Sequence, residues 1–97
     1  MKKLRNVHPG EILKLDFLDP MNITPYALAK AIGVDLAKIS QLIKGSRSMT
    51  PDTALRLGKF FNVSPEFWLN IQSRFDLEQE REKSAEYEKI SPYQRAG

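Results

Sequence analysis

Apolar positions along the chain recur at helical spacing in five windows, and proline or glycine bounds each window. Ile12, Leu13, Phe17 and Leu18 make the first stripe, over roughly residues 9–18. Pro9 suits the opening turn, where a missing N–H does no harm, and Pro20 is expected to end the helix. Thr24-Pro25 reads as N-cap and first residue of a second helix that stops before Gly33. "GVDLAKISQLIKG" (33–45) carries Leu36, Ile39, Leu42 and Ile43 on one side, with Asp35 as the expected cap and Gly45 as a left-handed terminator. Thr50-Pro51 opens a fourth helix, with Ala54, Leu55, Leu57, Gly58, Phe60 and Phe61 on its apolar side, and Ser64-Pro65 opens a fifth, holding "EFWLNIQSRFDL". No run alternates apolar and polar residues as a strand would. The pattern predicts an all-α domain of five helices.

The second and third helices belong together. The second is too short to be stable alone and must pack on its neighbour across Gly33-Val34-Asp35. Gly33 permits the positive φ of a sharp turn, and small Ala29, four residues earlier, lets the helices approach closely. Leu28, Ile32, Val34, Ile39 and Leu42 then face inward. This is helix-turn-helix spacing at about 25–44, within five helices. Such a motif lays its second helix in the DNA major groove.

The polar face of that helix then acquires a purpose. Lys38, Ser40 and Gln41 can bond base edges or phosphates, and Ala37 is small enough for a thymine methyl. Gln41 suits a bidentate bond to adenine, against the alternative of an ordinary solvated amide. Lys38 and Lys44 are either phosphate contacts or solvated charges. Ser46 and Arg47 follow in a loop expected beside the DNA backbone. Thr24 caps a helix whose N-terminal N–H groups suit a phosphate, and capping alone is the competing role. Asp35 is repulsive to phosphate and reads as a cap.

Charge supports the same direction. The net charge is +3, but residues 1–47 hold eight Lys/Arg against four Asp/Glu, whereas residues 76–97 hold four against six. A polyanion partner for the first half fits this asymmetry, and chance is the alternative. Ninety-seven residues fit one domain, expected over 1–78, with a charged helical extension and flexible tail over 79–97. Tyr87, Ile90 and Tyr93 alone favour a tail ordered on a partner subunit. No apolar run spans a membrane and none follows the basic start, so a cytoplasmic protein is expected. There is no cysteine and a single histidine, His8, read as capping or stacking before the first helix, so neither a metal or cofactor site nor an enzyme is expected. Phe67, Trp68, Ile71 and Phe75 either all join the core or in part form a homodimer seam, the arrangement a reader of palindromic DNA requires.

The segments "HPGEIL", "TPYALAKAIGVDLAKISQLIKGSRSMTPDTALRLGKFFNVSPEFWLNIQ" and "DLE" resemble the HigA/VapI group of antitoxins within the XRE (Cro/phage-repressor-like) helix-turn-helix family. The likeness covers about residues 7–78, and "HPGE" with "SPEFWLNIQ" are its most specific pieces. It implies a five-helix lambda-repressor-like fold and a dimeric repressor that binds a palindromic operator in double-stranded DNA upstream of its own operon. It further implies an antitoxin that neutralises a HigB-like toxin, a ribonuclease of the RelE type. A Ser or Thr usually opens the recognition helix in this family, where this chain has Asp35-Leu36. A free-standing regulator without a toxin, or an interaction module with a vestigial DNA face, are the competing expectations.

Overall fold

The computed structural model describes residues 5–94, so the last three residues of the expected tail lie outside the described part. Five helices and no strand occur among the described residues. Helix α1 spans 9–21, with α-helical turns Pro9–Ile12 and Asp19–Met21 on either side of a π-helical stretch Leu13–Leu18. Helix α2 is Pro25–Ile32, α3 Leu36–Lys44, α4 Pro51–Phe61 and α5 Pro65–Lys83. A 3-10 turn, Glu86–Lys89, follows.

The expected stop at Pro20 does not occur; α1 continues to Met21. Proline breaks an α-helix by crowding the carbonyl four residues back. Here the preceding turns are wound wider, with the Asp19 N–H reaching the carbonyl of Lys14 five residues back, and the ring is accommodated.

Four helices end alike. Asn22, Gly33, Gly45 and Asn62 all take positive φ. The residue after each sends its N–H five residues back, Ile23 to Leu18, Val34 to Ala29, Ser46 to Gln41 and Val63 to Gly58. Thr24, Thr50 and Ser64 cap the helices that follow a proline, each accepting a backbone N–H on its side-chain oxygen. Asp35 departs from expectation. It stands at the N-cap of α3, yet its carboxylate makes no capping bond, and its backbone carbonyl receives the Lys38 and Ile39 N–H groups instead.

Leu13, Leu18, Leu28, Ile32, Ile39, Leu42, Leu57 and Trp68 build the core. On α4 the buried stripe is Ala54, Leu57 and Gly58, with Phe61 partly buried. Leu55 and Phe60 lie off that spacing and are exposed, which corrects their expected place on the apolar side. Trp68 is wholly enclosed by its own chain, with Phe17 and Phe67 rings about 5 Å away. It has no surface to give a dimer seam, and its place in that expectation is withdrawn.

α3 is nine residues long and is held from two sides. α2 crosses it at buried Ala29, and Arg56 on α4 donates from Nη1 to the Ile32 carbonyl at 2.8 Å, so the α2 terminus is satisfied from α4. On the other side the backbone of α1 meets the backbone of α3. A Cβ added at Gly10 would lie 1.7 Å from the Leu42 carbonyl oxygen. No side chain stands between, so relief requires the helices to separate. Gly10→Ala is therefore expected to cost about 3 kcal/mol or more by overpacking. Ala29→Leu, at the α2 crossing, is expected to cost about 1–3 kcal/mol. Chemical denaturation of both variants checks this; a neutral effect at either position would show that α3 is not held there.

Candidate nucleic-acid interface

The outward side of α3 is built by the burial of its inner side. Ile39 and Leu42 are buried, which turns Ala37, Lys38, Gln41 and Lys44 to solvent and leaves Ser40 half-buried. Ser46 and Arg47 continue the exposed surface into the loop. Leu36, expected on the apolar stripe, is 43% exposed instead. With Tyr26, 62% exposed on α2, it borders a notch that also includes Ala29 and Asp35. Neither was expected at the interface; Leu36 was legible only as an apolar position, and Tyr26 gave no signal.

The expected contact residues divide between two flanks. Lys38 and Arg47 line a cleft between α3 and the start of α4, together with Thr50, Asp52 and Arg56. Lys44 lines a different cleft, with Arg5, Lys14 and Glu11 of the α1 side. Lys38 and Lys44 are six positions apart, which at roughly 100° per residue leaves them about 120° apart around the helix and on different flanks. Gln41 lies on the arc between them, and half-buried Ser40 lies just beyond Lys44. Thr24 stands apart at the start of α2, where its Oγ1 accepts the Ala27 N–H at 3.1 Å and its own hydroxyl proton stays available.

Gln41 and Arg47 form one unit. Arg47 Nε donates to Gln41 Oε1 at 2.9 Å, and Ser46 Oγ donates to the Gln41 carbonyl at 3.2 Å. The guanidinium has no acceptor, so the amide must turn its oxygen toward Arg47 and its NH₂ outward. A bidentate adenine contact needs both ends of the amide; in this arrangement the NH₂ is free, while the oxygen spends one of its two acceptor sites on Arg47.

His8 is the N-cap of α1, as expected, and more. Its Nδ1 accepts the Gly10 N–H at 2.9 Å, and its ring stands edge-on to Phe75 at 4.8 Å. Burial pushes its pKa down, opposed by the charge of Asp76, by the nearby Arg47 backbone and by the charge of Glu11. The group favours its neutral form, suited to a structural bond. Among the described residues no cluster of His, Asp and Glu could hold a metal ion.

The other expected surface is partly dismantled. With Trp68 in the core, Phe67 remains 38% exposed, while Ile71 and Phe75 are half-buried. Phe75 is engaged by His8, and its carbonyl accepts from Asn6 Nδ2 at 3.0 Å. Among the described residues no helix is long and apolar enough to cross a membrane.

A helix-turn-helix family model matches residues 16–68 of this chain. Antitoxin HigA-1 of Vibrio cholerae is 45% identical over 88 residues, 91% of this chain and 83% of that protein. Virulence-associated protein I of Dichelobacter nodosus is 42% identical over 85 residues, 88% of this chain and 74% of that protein. The solved structure of Pseudomonas aeruginosa antitoxin HigA with the higBA promoter superposes with a TM-score of 0.86 at 36% identity, covering 91% of this chain and 98% of that one. By spacing, fold and sequence alike, the chain belongs to the helix-turn-helix family, among the antitoxins of HigA and VapI type.

Proposed function

We propose that this chain is a homodimeric repressor that binds palindromic operator DNA upstream of its own gene and acts as antitoxin to a HigB/RelE-like toxin. It works by binding, without catalysis or cofactor, as a cytoplasmic protein. The domain at 1–78 carries the DNA contacts, and the rest of α5 with its tail is an extension. One observation carries the DNA reading: α3 presents Gln41 between two cationic flanks, Lys38 with Arg47 on one side and Lys44 on the other, with Ser40 at the edge of the second. A helix seated in the major groove has a phosphate strand on each side of it, and this arrangement matches that geometry. The operator complexes solved for similar antitoxins support the reading. A gel shift with the duplex upstream of its own gene tests it; failure to retain that duplex in preference to scrambled DNA overturns it.

In this reading Ala37 and exposed Leu36 supply apolar contact for a thymine methyl, Lys38, Lys44, Ser46 and Arg47 bind phosphate, and Thr24 adds a hydroxyl at the start of α2. Gln41 reads a base through its NH₂, which favours an acceptor such as guanine O6 or N7. Gln41→Ala is expected to relax preference at one base pair by about 1–3 kcal/mol. Arg47→Ala is expected to weaken all sequences alike and to lower the salt slope by about one unit per subunit. Titrations on operator and scrambled duplexes at several salt concentrations separate the two. A salt slope flattened by Gln41→Ala, with base preference intact, would contradict the assignment.

A dimer places two α3 helices about one DNA turn, roughly 34 Å, apart. Of the residues first assigned to its seam, Phe67 is the most exposed, with Ile71 and the open edge of Phe75 beside it on α5. Phe67→Glu is expected to give a folded monomer in sedimentation analysis. A dimer of undiminished stability would remove this face from the interface.

A further inference from the structure

Two large side chains stand in solvent where α2 gives way to α3. Tyr26, in the first turn of α2, is 62% exposed, and Leu36, the first residue of α3, is 43% exposed. A single exposed apolar residue is ordinary, but these two line one notch. Ala29 and Gly33 line it as well and contribute no more than a methyl group, so the space between ring and leucine stays open. Among the described residues the Tyr26 hydroxyl has no hydrogen-bond partner. Lys30 and Asp35 border the notch with opposite charges, so it holds no net attraction for a phosphate. What its walls offer is apolar surface.

The notch is continuous with the outer side of α3, since Leu36 is followed by exposed Ala37. The first residues of a helix in the major groove are the ones that meet base edges, and thymine alone presents a methyl group there. We infer that Tyr26 is a specificity-determining residue for DNA binding: with Leu36 it forms a receptor for the methyl group of one thymine in each half-site. This rests on the DNA-binding reading above, and gives the methyl contact of Leu36 a second wall, contributed by α2. A leucine alone covers a methyl group from one side; a second apolar surface removes more of its water. The ring carries the selectivity, because a hydroxyl can donate to thymine O4 or accept from cytosine N4 with equal ease.

Uracil lacks only that methyl group, which makes it the probe. Fluorescence anisotropy is measured on the duplex immediately upstream of the gene, with each thymine replaced in turn by uracil. For the wild-type chain, one thymine in each half-site should bind roughly three- to five-fold more weakly on losing its methyl. Tyr26→Ala and Leu36→Ala should each reduce the penalty at that same thymine, so that the two duplexes bind nearly alike. Tyr26→Phe keeps the ring and should keep the penalty. Uracil penalties unchanged in Tyr26→Ala, or a penalty lost in Tyr26→Phe, overturns the role. So does a Tyr26→Ala chain that loses its helical circular dichroism, because the ring is then a packing group. A wild-type chain that binds the upstream duplex no better than scrambled DNA refutes the DNA-binding reading, and the role with it. One that prefers the upstream duplex yet is indifferent to every methyl group leaves that reading standing and removes Tyr26 from it.

Discussion

Gly10 passes so close to the Leu42 carbonyl that no side chain fits between the two backbones. The recognition helix depends on this contact because nine residues cannot hold a helix in water without tertiary support. Side chains that hop rotamers position a helix loosely; two backbones in contact do not. Once α1 is pinned there, Leu13 and Leu18 fall into the core, and the inner residues Ile39 and Leu42 of α3 are enclosed. What faces outward on α3 is then settled by exclusion. His8 stands one residue before α1, which brings its ring against Gly45, where the chain leaves α3. The same close approach thus fixes the helix and supports the segment that follows it.

Much of this was legible because helix ends are written in local chemistry. Thr-Pro and Ser-Pro pairs mark starts whose caps need only three or four residues to form, and Gly33 and Gly45 mark ends that need only a left-handed residue. Asn22 and Asn62 do the same work less visibly, since asparagine tolerates that conformation without requiring it. Pro20 misled because its effect depends on how the preceding turns are wound, and nothing local in the sequence announces a π-helical stretch. Leu36, Leu55 and Phe60 misled for a different reason. Helical spacing says which residues share a face, but how wide the buried stripe becomes depends on which helices cover it.

The candidate site divides along the same line. That Lys38, Gln41 and Arg47 lie on one exposed surface, with Ser40 at its half-buried edge, follows from a helical period and a short loop, and was readable in advance. That Arg47 takes the oxygen of Gln41 was not, because residues six apart across a helix terminus meet only after Gly45 turns the chain back. Gln72 is the same case at longer range. It reads as one more polar residue of α5, and only the fold brings its amide to the Met49 N–H. His8 and Gln72 thus converge on the segment after the recognition helix, the first by standing against Gly45 and the second by holding the Met49 N–H.

Charge is distributed by use. Arg5 pairs with Glu11, Lys14 with Asp19 and Arg81 with Glu78, all on the surface, where such pairs contribute little to stability but cancel local field. Arg56 divides its guanidinium between Asp52 and the carbonyls that end α2. Lys38 and Lys44 make no ion pair among the described residues, and Arg47 bonds a neutral amide, so their charges stay uncancelled on either side of one helix face. A net charge of +3 is too small to draw a polyanion to the molecule at large. In the proposed reading these three stand beside the side chains that offer hydrogen bonds to a base, so what field they supply falls on the surface that reads.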